Sequence, residues 1–326
     1  MTNRHLPTTA IAAIACVLTA ACADTSPTIP SSQLASPAAS ADRQQPTFAI
    51  DTFSVPGALG TSPQGINAAG DIVGIYVDAS KHTRGFLLHE GTFTTIDYRD
   101  PATGLVADNT DARGIGPAGD IVGAHWNDDE EPVVAAHGYH RTPDGAFTPV
   151  HFPGHLYEFP QRILPDGTIL GCRHDHDLMA SMRGIMIRGE QATEAANIFA
   201  SMSNGATPDG HIVVGLYTNM MMPAHSEAFL IQDGDTTAFM VPGSSQTSAW
   251  DINPRGDIVG VFRDGSGFHG FVRTGTGRTL LDPAYTQIDV PGATASRAFG
   301  VNERGDVVGA YVAGGKTHGF HATRLR

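Results

Sequence analysis

The sequence predicts an all-β protein: a six-bladed β-propeller closed by an N-terminal strand that completes the last blade. Three observations predict it. One motif of about 47 residues recurs six times. The 38 glycines and 21 prolines, with only 16% charged residues, suit many short strands joined by tight turns. The chain also enters and leaves the motif out of phase, which an open array has no use for.

The first 21 residues read as a secretory signal of lipoprotein type. Arg4 and His5 precede an apolar stretch from Ala10 to Ala21 that is too short to span a bilayer as a helix. Leu18-Thr19-Ala20-Ala21-Cys22 resembles the bacterial lipobox, with Thr19 where that motif usually has Leu. Cys22 is therefore the expected lipidated first residue, and ordinary cleavage at Ala21-Cys22-Ala23 is the other reading. Residues 22–47 follow as a tether rich in Ser, Ala, Pro and Gln, a composition that buries too little surface to offset its chain entropy. At random-coil dimensions about 23 such residues reach on the order of 25–30 Å. Export to the cell envelope, on a lipid anchor or in secreted form, is the expected location.

The propeller takes residues 48–326. It opens with an orphan fourth strand, Phe48 to Val55, ahead of Pro56-Gly57. The repeat core then reads Gly65-Ile66-Asn67-Ala68-Ala69-Gly70-Asp71-Ile72-Val73-Gly74 in the first copy and Gly300-Val301-Asn302-Glu303-Arg304-Gly305-Asp306-Val307-Val308-Gly309 in the last. Asn-x-x-Gly between two β-branched runs is a hairpin turn whose glycine supplies positive φ. The turn glycines are Gly70, Gly119, Gly167, Gly210, Gly256 and Gly305. A second set, Gly74, Gly123, Gly171, Gly215, Gly260 and Gly309, falls mid-strand, where a missing side chain admits a neighbouring sheet. A third strand such as His269-Gly270-Phe271-Val272 and a fourth closed by Pro-Gly give four strands per unit, a propeller blade. The last copy stops after its third strand, so pairing it with Phe48 to Val55 completes six blades and removes an open edge.

Copies three and four depart most. Arg162-Ile163-Leu164-Pro165-Asp166-Gly167 lacks the Gly and Asn, and Gly210-His211-Ile212-Val213-Val214-Gly215 carries one extra residue, expected as a bulge. The Gly-Ile-Asn-x-x-Gly-Asp-Ile-Val-Gly core followed by His-Gly-Phe resembles the HAF-repeat family of exported bacterial proteins, over about residues 48–326. The resemblance implies a propeller-like fold and export, and little about activity, because the matching residues are turn and packing positions.

Without residues 1–21 the balance is 19 basic to 33 acidic residues, about −14, which repels phosphate backbones and excludes nucleic acid as the expected partner. Cys172, flanked by Gly171 and Arg173 in an apolar strand, has no partner after Cys16 and Cys22 are assigned to the signal, and reads as a buried hydrophobe. There is no nucleophile elbow, Walker loop, dinucleotide fingerprint or cysteine-histidine zinc spacing.

Loops between second and third strands share one face with the loops joining blades, and function concentrates on such loops. In blades one, five and six they are ordinary. Blades two to four instead carry His125-Trp126-Asn127-Asp128-Asp129-Glu130-Glu131, Arg173-His174-Asp175-His176-Asp177 and Asn219 to Glu227, and seven of nine methionines lie between Met179 and Met222. His125, Trp126, Asn219 and Trp250 are candidate ligand contacts. His174 and His176, two apart on an extended strand, point to one side and with His225 or His125 as a third ligand could hold Zn or Cu; a solvated polar loop is the competing reading. His137, His269 and His318 recur at one motif position and read as blade-to-blade hydrogen-bonding residues. Arg84, Arg183 and Glu227 replace them and are better functional candidates. Arg113, Gln161 and Trp250 are assigned to inter-blade loops at the channel mouth. Two functions follow: a binding module for a ligand, glycan or protein through the loops of blades two to four, or a metal-assisted hydrolase or lyase with Arg183, Glu227 or Arg113 in acid-base or anion-stabilising roles.

Overall fold

The computed structural model describes residues 46–325 apart from 130–134, 178–180, 195–197, 199, 220–223 and 277–280. The signal, most of the tether, Cys22, Glu130, Glu131, Met179 and Met220 to Met222 lie outside the described residues. The elements are strands, arranged as six sheets, and the protein is a six-bladed β-propeller. Among the described residues no helix is long and apolar enough to cross a membrane.

β1 (Phe48–Phe53) comes first in the chain and last in the ring. Blade one is β2 (Gly60–Ile66), β3 (Ile72–Val77), β4 (Thr83–His89) and β5 (Thr92–Ile96). Blade two is β6 (Asn109–Thr110) and β7 (Gly114–Ile115), both on β8 (Ile121–Trp126), then β9 (His137–Arg141) and β10 (Phe147–Val150). Blade three is β11 (Tyr157–Ile163), β12 (Ile169–His174), β13 (Arg183–Arg188) and β14 (Gln191–Glu194). Blade four is β15 (Ser201–Ala206), β16 (Ile212–Asn219), β17 (His225–Gln232) and β18 (Asp235–Phe239). Blade five is β19 (Gln246–Ile252), β20 (Ile258–Arg263), β21 (Phe268–Thr276) and β22 (Leu281–Ile288). Blade six is β23 (Ala295–Val301), β24 (Val307–Ala313), β25 (Lys316–Arg324) and, antiparallel on β25, β1, with Phe48 opposite Arg324 and Phe53 opposite Gly319. The predicted closure is therefore the observed one.

The repeat's residues account for the local geometry. At the hairpin of blade one the Asn67 carboxamide oxygen accepts from the Gly70 and Asp71 amides at 3.0 and 2.9 Å, and its nitrogen donates to the Asp71 carboxylate at 3.0 Å. Gly70 sits at φ +97° and Gly305, its counterpart in blade six, at +85°. The same asparagines stitch blades together: Asn253 donates to the Asn302 carbonyl at 3.1 Å, and Asn302 to the Asn67 carbonyl at 3.4 Å.

The second-strand glycines correct the sequence reading. A Cβ on Gly309 would collide with the carbonyl oxygen of Arg297 on the blade's own first strand and lie 2.8 Å from the Phe320 ring. The close neighbour is thus within the blade. First strands shift register between Pro63 and Gly65, Pro160 and Arg162, Ser203 and Gly205, Ala249 and Asp251, and Ala298 and Gly300, and blade two breaks between β6 and β7 at the same level. The glycine accepts the carbonyl that this bulge pushes across, and clears the edge of a fully buried third-strand residue: Phe86, Tyr139, Phe229, Phe271 and Phe320, with Ile185 in blade three. The extra residue of copy four makes no bulge in β16. Thr207 pairs with Ile212 where Asn67 pairs with Asp71, so the hairpin is one residue longer.

The core lies between blades. Ile212, Val214 and Leu230 of blade four pack with Ile252, Ile258 and Phe271 of blade five, and the ring closes where Val308 of blade six meets Ile66, Ile72 and Phe86 of blade one. Cys172 is 2% exposed, and burial pushes its thiol up to about 12, so it is an inert core residue as expected.

Candidate functional site

The six first strands meet at the axis, and there one motif position decides the geometry. It holds Gly65, Gly114, Gly205 and Gly300 in four blades, Arg162 in blade three and Asp251 in blade five. The glycines allow backbone contact: a Cβ on Gly65 would lie 2.8 Å from the Arg113 carbonyl, and one on Gly205 2.8 Å from Cα of Asp251. Arg162 fills the space they leave. Its guanidinium donates to the carbonyls of Arg113 at 3.0 Å, Gln161 at 2.7 Å, Gln64 at 3.0 Å and Phe299, and its Nε lies 3.2 Å from the Asp251 carboxylate. Asp251 in turn accepts from the Val301 amide at 3.0 Å and its neighbour Ile252 at 2.9 Å. Burial holds the Asp251 carboxyl above the usual carboxylate range against the pull of Arg162. One buried ion pair therefore joins five blades and seals the channel.

Below the seal, on the face of the first hairpins, is a cavity of about 100 Å³ ringed by Ile66, Ile115, Ile163, Ala206, Ile252 and Val301. Above it, towards the loop face, the residues preceding the motif position form a neck: Gln64, Arg113, Gln161, Asn204, Trp250 and Phe299. Gln161 and Trp250 thus sit in first strands, and Arg113 in the break between β6 and β7, not on inter-blade loops. Arg113 Nε donates to Asp111 at 2.6 Å and its guanidinium covers the Phe159 ring at 4.7 Å, while Trp250 packs edge-on against Phe299 at 5.1 Å.

At the wide mouth, blades two and three carry a ladder of rings. His125 stacks on Tyr98 at 3.6 Å with planes 5° apart, and 5.6 Å separates His125 from His137 and His137 from Tyr157. Tyr157 then lies 5.5 Å from His174 and 5.7 Å from the exposed His176. Burial, with a contribution from His137, lowers His125 to about 4, so it is neutral at pH 7. Beside the ladder, buried Glu158 accepts from the Phe152 amide at 2.8 Å and lies 2.9 Å from His151, and burial raises its carboxyl. Trp126 is half-buried at the end of β8.

The metal expectation is not met by these positions. Among the described residues no group of three or more His, Cys, Asp or Glu side chains is gathered to hold an ion. His174 is 1% exposed and its ring lies 6.2 Å from that of Phe159. His225 belongs to a separate network of blade four, where Glu227 accepts from Tyr217 at 2.5 Å and Asn219 at 2.6 Å and lies 3.0 Å from His225. Burial opposes ionisation of Glu227, but these three bonds outweigh it and lower its carboxyl, while burial and Glu227 raise Tyr217. Glu227 and Asn219 are engaged with each other across β16 and β17. Arg183, cross-strand from Arg173, donates to the Met182 carbonyl at 2.8 Å, and burial followed by Arg173 lowers it.

Two of the repeated histidines, His269 and His318, also act differently from the expectation. His269 lies 2.8 Å from Asp289 and His318 2.9 Å from Ser54, so both tie third strand to fourth inside one blade. Arg84 does the same through Asp97 at 3.3 Å and also pairs with Asp78, just past the second strand, at 3.0 Å, which returns it to the scaffold. Sequence reasoning missed the Arg162 and Asp251 pair; the signal was two opposite charges at a glycine position of the repeat.

The chain matches no protein-family model and no curated protein. Similar solved structures are propellers. TolB from Acinetobacter baumannii is 14% identical over 69% of this chain at a TM-score of 0.49, and this chain spans 53% of its length. The β-propeller domain of the Trilobed protease from Pyrococcus furiosus is 8% identical over 81% of this chain and 94% of its own, at 0.48. The Aleuria aurantia lectin is 9% identical over 85% and 97%, at 0.47. At these identities the likeness concerns the fold alone.

Proposed function

We propose that this chain is an exported, lipid-anchored binding propeller of the HAF-repeat type that takes a neutral glycan on its loop face over blades two to four. The observation that carries the reading is the ring ladder from Tyr98 to His176, in which half-buried His125, His137 and Tyr157 and exposed His176 lie on one arc of the mouth, with the His125 imidazole neutral. Ring faces bind the apolar faces of sugars, and a net charge near −14 disfavours polyanions.

The chain's course supports the anchor reading. β25 runs from its loop with β24 to the hairpin face, where Arg324 donates to Asp257 at 2.8 Å, and β1 starts beside it, Phe48 opposite Arg324. The tether thus joins the propeller on the hairpin face, so an anchor at Cys22 leaves the ring ladder turned away from the membrane.

Calorimetric titration of the propeller with neutral oligosaccharides tests the reading. Tyr157→Ala should weaken binding roughly tenfold, the value of about 1.4 kcal/mol of ring contact. A panel in which no neutral oligosaccharide binds, or in which Tyr157→Ala changes nothing, overturns it.

A further inference from the structure

The neck of the axial funnel combines features that no scaffold role requires. Arg162 closes it below, so the neck is approached from the loop face. Its charges are matched internally, Arg113 by Asp111 at 2.6 Å and Arg162 by Asp251 at 3.2 Å, which leaves no net charge for an ionic ligand. One side is aromatic, Trp250 against Phe299, and the other is amide, Gln64, Gln161 and Asn204.

Two of those amides are incomplete. Gln161 is 1% exposed and Asn204 fully buried, yet Nε2 of Gln161 and Oδ1 of Asn204 have no hydrogen-bond partner among the described residues. The orientation of Asn204 is set by its other atom, since Nδ2 donates to the Ala249 carbonyl at 2.8 Å. A buried polar group left unpaired costs about 1–3 kcal/mol, so each is a standing demand for a partner. On neighbouring blades they offer one donor and one acceptor. A secondary amide answers both, its carbonyl accepting from Gln161 and its N–H donating to Asn204.

We propose that this neck binds the acetamido group of an N-acetylated sugar, with the sugar ring against Trp250. The proposal rests on the glycan reading of the loop face and adds the pit that selects the sugar. Both amide atoms are covered in the present arrangement, so a neck side chain rotates to admit the ligand. The aromatic wall is what favours a sugar amide over a peptide amide.

The experiment titrates the protein with the β-1,4-linked trimer of N-acetylglucosamine, the matching trimer of glucose, and a blocked glycine peptide. The acetamido trimer should bind about tenfold or more tighter than the glucose trimer, as expected when a buried polar pair is left unanswered. Gln161→Leu and Asn204→Leu should both erase that preference; Gln161→Leu removes an unpaired atom and should leave the melting temperature unchanged, whereas Asn204→Leu also gives up the bond to the Ala249 carbonyl and should lower it. Gln161→Met and Asn204→Ala ask the same question should either leucine variant fold poorly. Equal binding of the two trimers, a preference that survives the substitutions, binding of the peptide alone, or water alone between the two amides in a crystal soaked with the acetamido trimer overturns the proposal. If Tyr157→Ala weakens both trimers alike while the neck variants change nothing, the neck fails and the loop-face reading stands. If neither trimer binds, the neck fails, and the loop-face reading fails with it only when the wider panel of neutral oligosaccharides does not bind either.

Discussion

Replacing Arg162 with methionine isolates what the axial ion pair contributes. The substitution keeps most of the side chain's length and removes five donors, leaving four carbonyls and the Asp251 carboxylate without their partner in a site where both residues are under 9% exposed. Breaking a buried pair from one side costs about 3–5 kcal/mol. For a domain of this size that corresponds to a fall in melting temperature on the order of 6–20 °C. The double change Arg162→Gly with Asp251→Gly restores the repeat's own residue in both blades and strands no charge, so it should be less destabilised than the sum of its single changes by about 1–3 kcal/mol. Denaturant unfolding of the four proteins of that cycle measures the coupling. The pH dependence has a definite sign. Burial already holds the folded Asp251 carboxyl above its unfolded value, and losing Arg162 raises it further. The deficit of Arg162→Met relative to wild type should therefore be largest above the folded pKa and shrink as pH falls towards about 4. Additive single changes, or a methionine variant that unfolds like wild type, would show that the pair closes nothing.

Deleting residues 48–56 should lower the melting temperature of the whole domain and promote association, since β25 loses its partner and exposes an edge, whereas deleting 24–45 should do neither; equal effects refute the closure. Gly309→Ala should cost about 1–3 kcal/mol or more because its Cβ meets the Arg297 carbonyl, while Gly265→Ala, with open space around it, should stay within about 0.5 kcal/mol in the same unfolding assay. His125 is buried and neutral with a folded value of about 4, so its contribution is present above about pH 6.5 and lost as pH falls towards 4, about 2 kcal/mol after allowance for partial exposure; His125→Phe should remove that part of the acid sensitivity seen in thermal melts. Cys22→Ser should move the protein from the membrane fraction to the soluble one while Cys172→Ser leaves it in place, and a wild-type protein found wholly soluble ends the anchor reading.

The fold was legible because a propeller repeats its physics. Each hairpin needs a positive-φ residue at the same place, and the six glycines that supply it mark six blades; the phase offset between Phe48 and His318 marks the closure. The second-strand glycines were found but misassigned, because sequence spacing shows that a side chain is unwelcome and not which neighbour forbids it. The first-strand bulge that pushes the Arg297 carbonyl towards Gly309 is a register event, invisible until strands are paired. The candidate site was half legible. His125, His174 and His176 stand out in the sequence as departures from the repeat, and in the structure they lie in one ladder with Tyr157, while His225 lies apart, 3.0 Å from Glu227 on its own strand.

The departures sort by where in the blade they fall. A charge at a third-strand start, as at Arg84, meets a fourth-strand carboxylate within reach and is absorbed by the scaffold. A charge at the first-strand glycine faces five other blades at once, and no neighbour in sequence can neutralise it. Arg162 is tolerable only because Asp251, 89 positions later, occupies the same motif position two blades on. Each charge alone would be a buried liability, and together they close the axis. The ring ladder on blades two and three and the amides of the neck therefore lie on one side of the pair, with the start of β1 on the other.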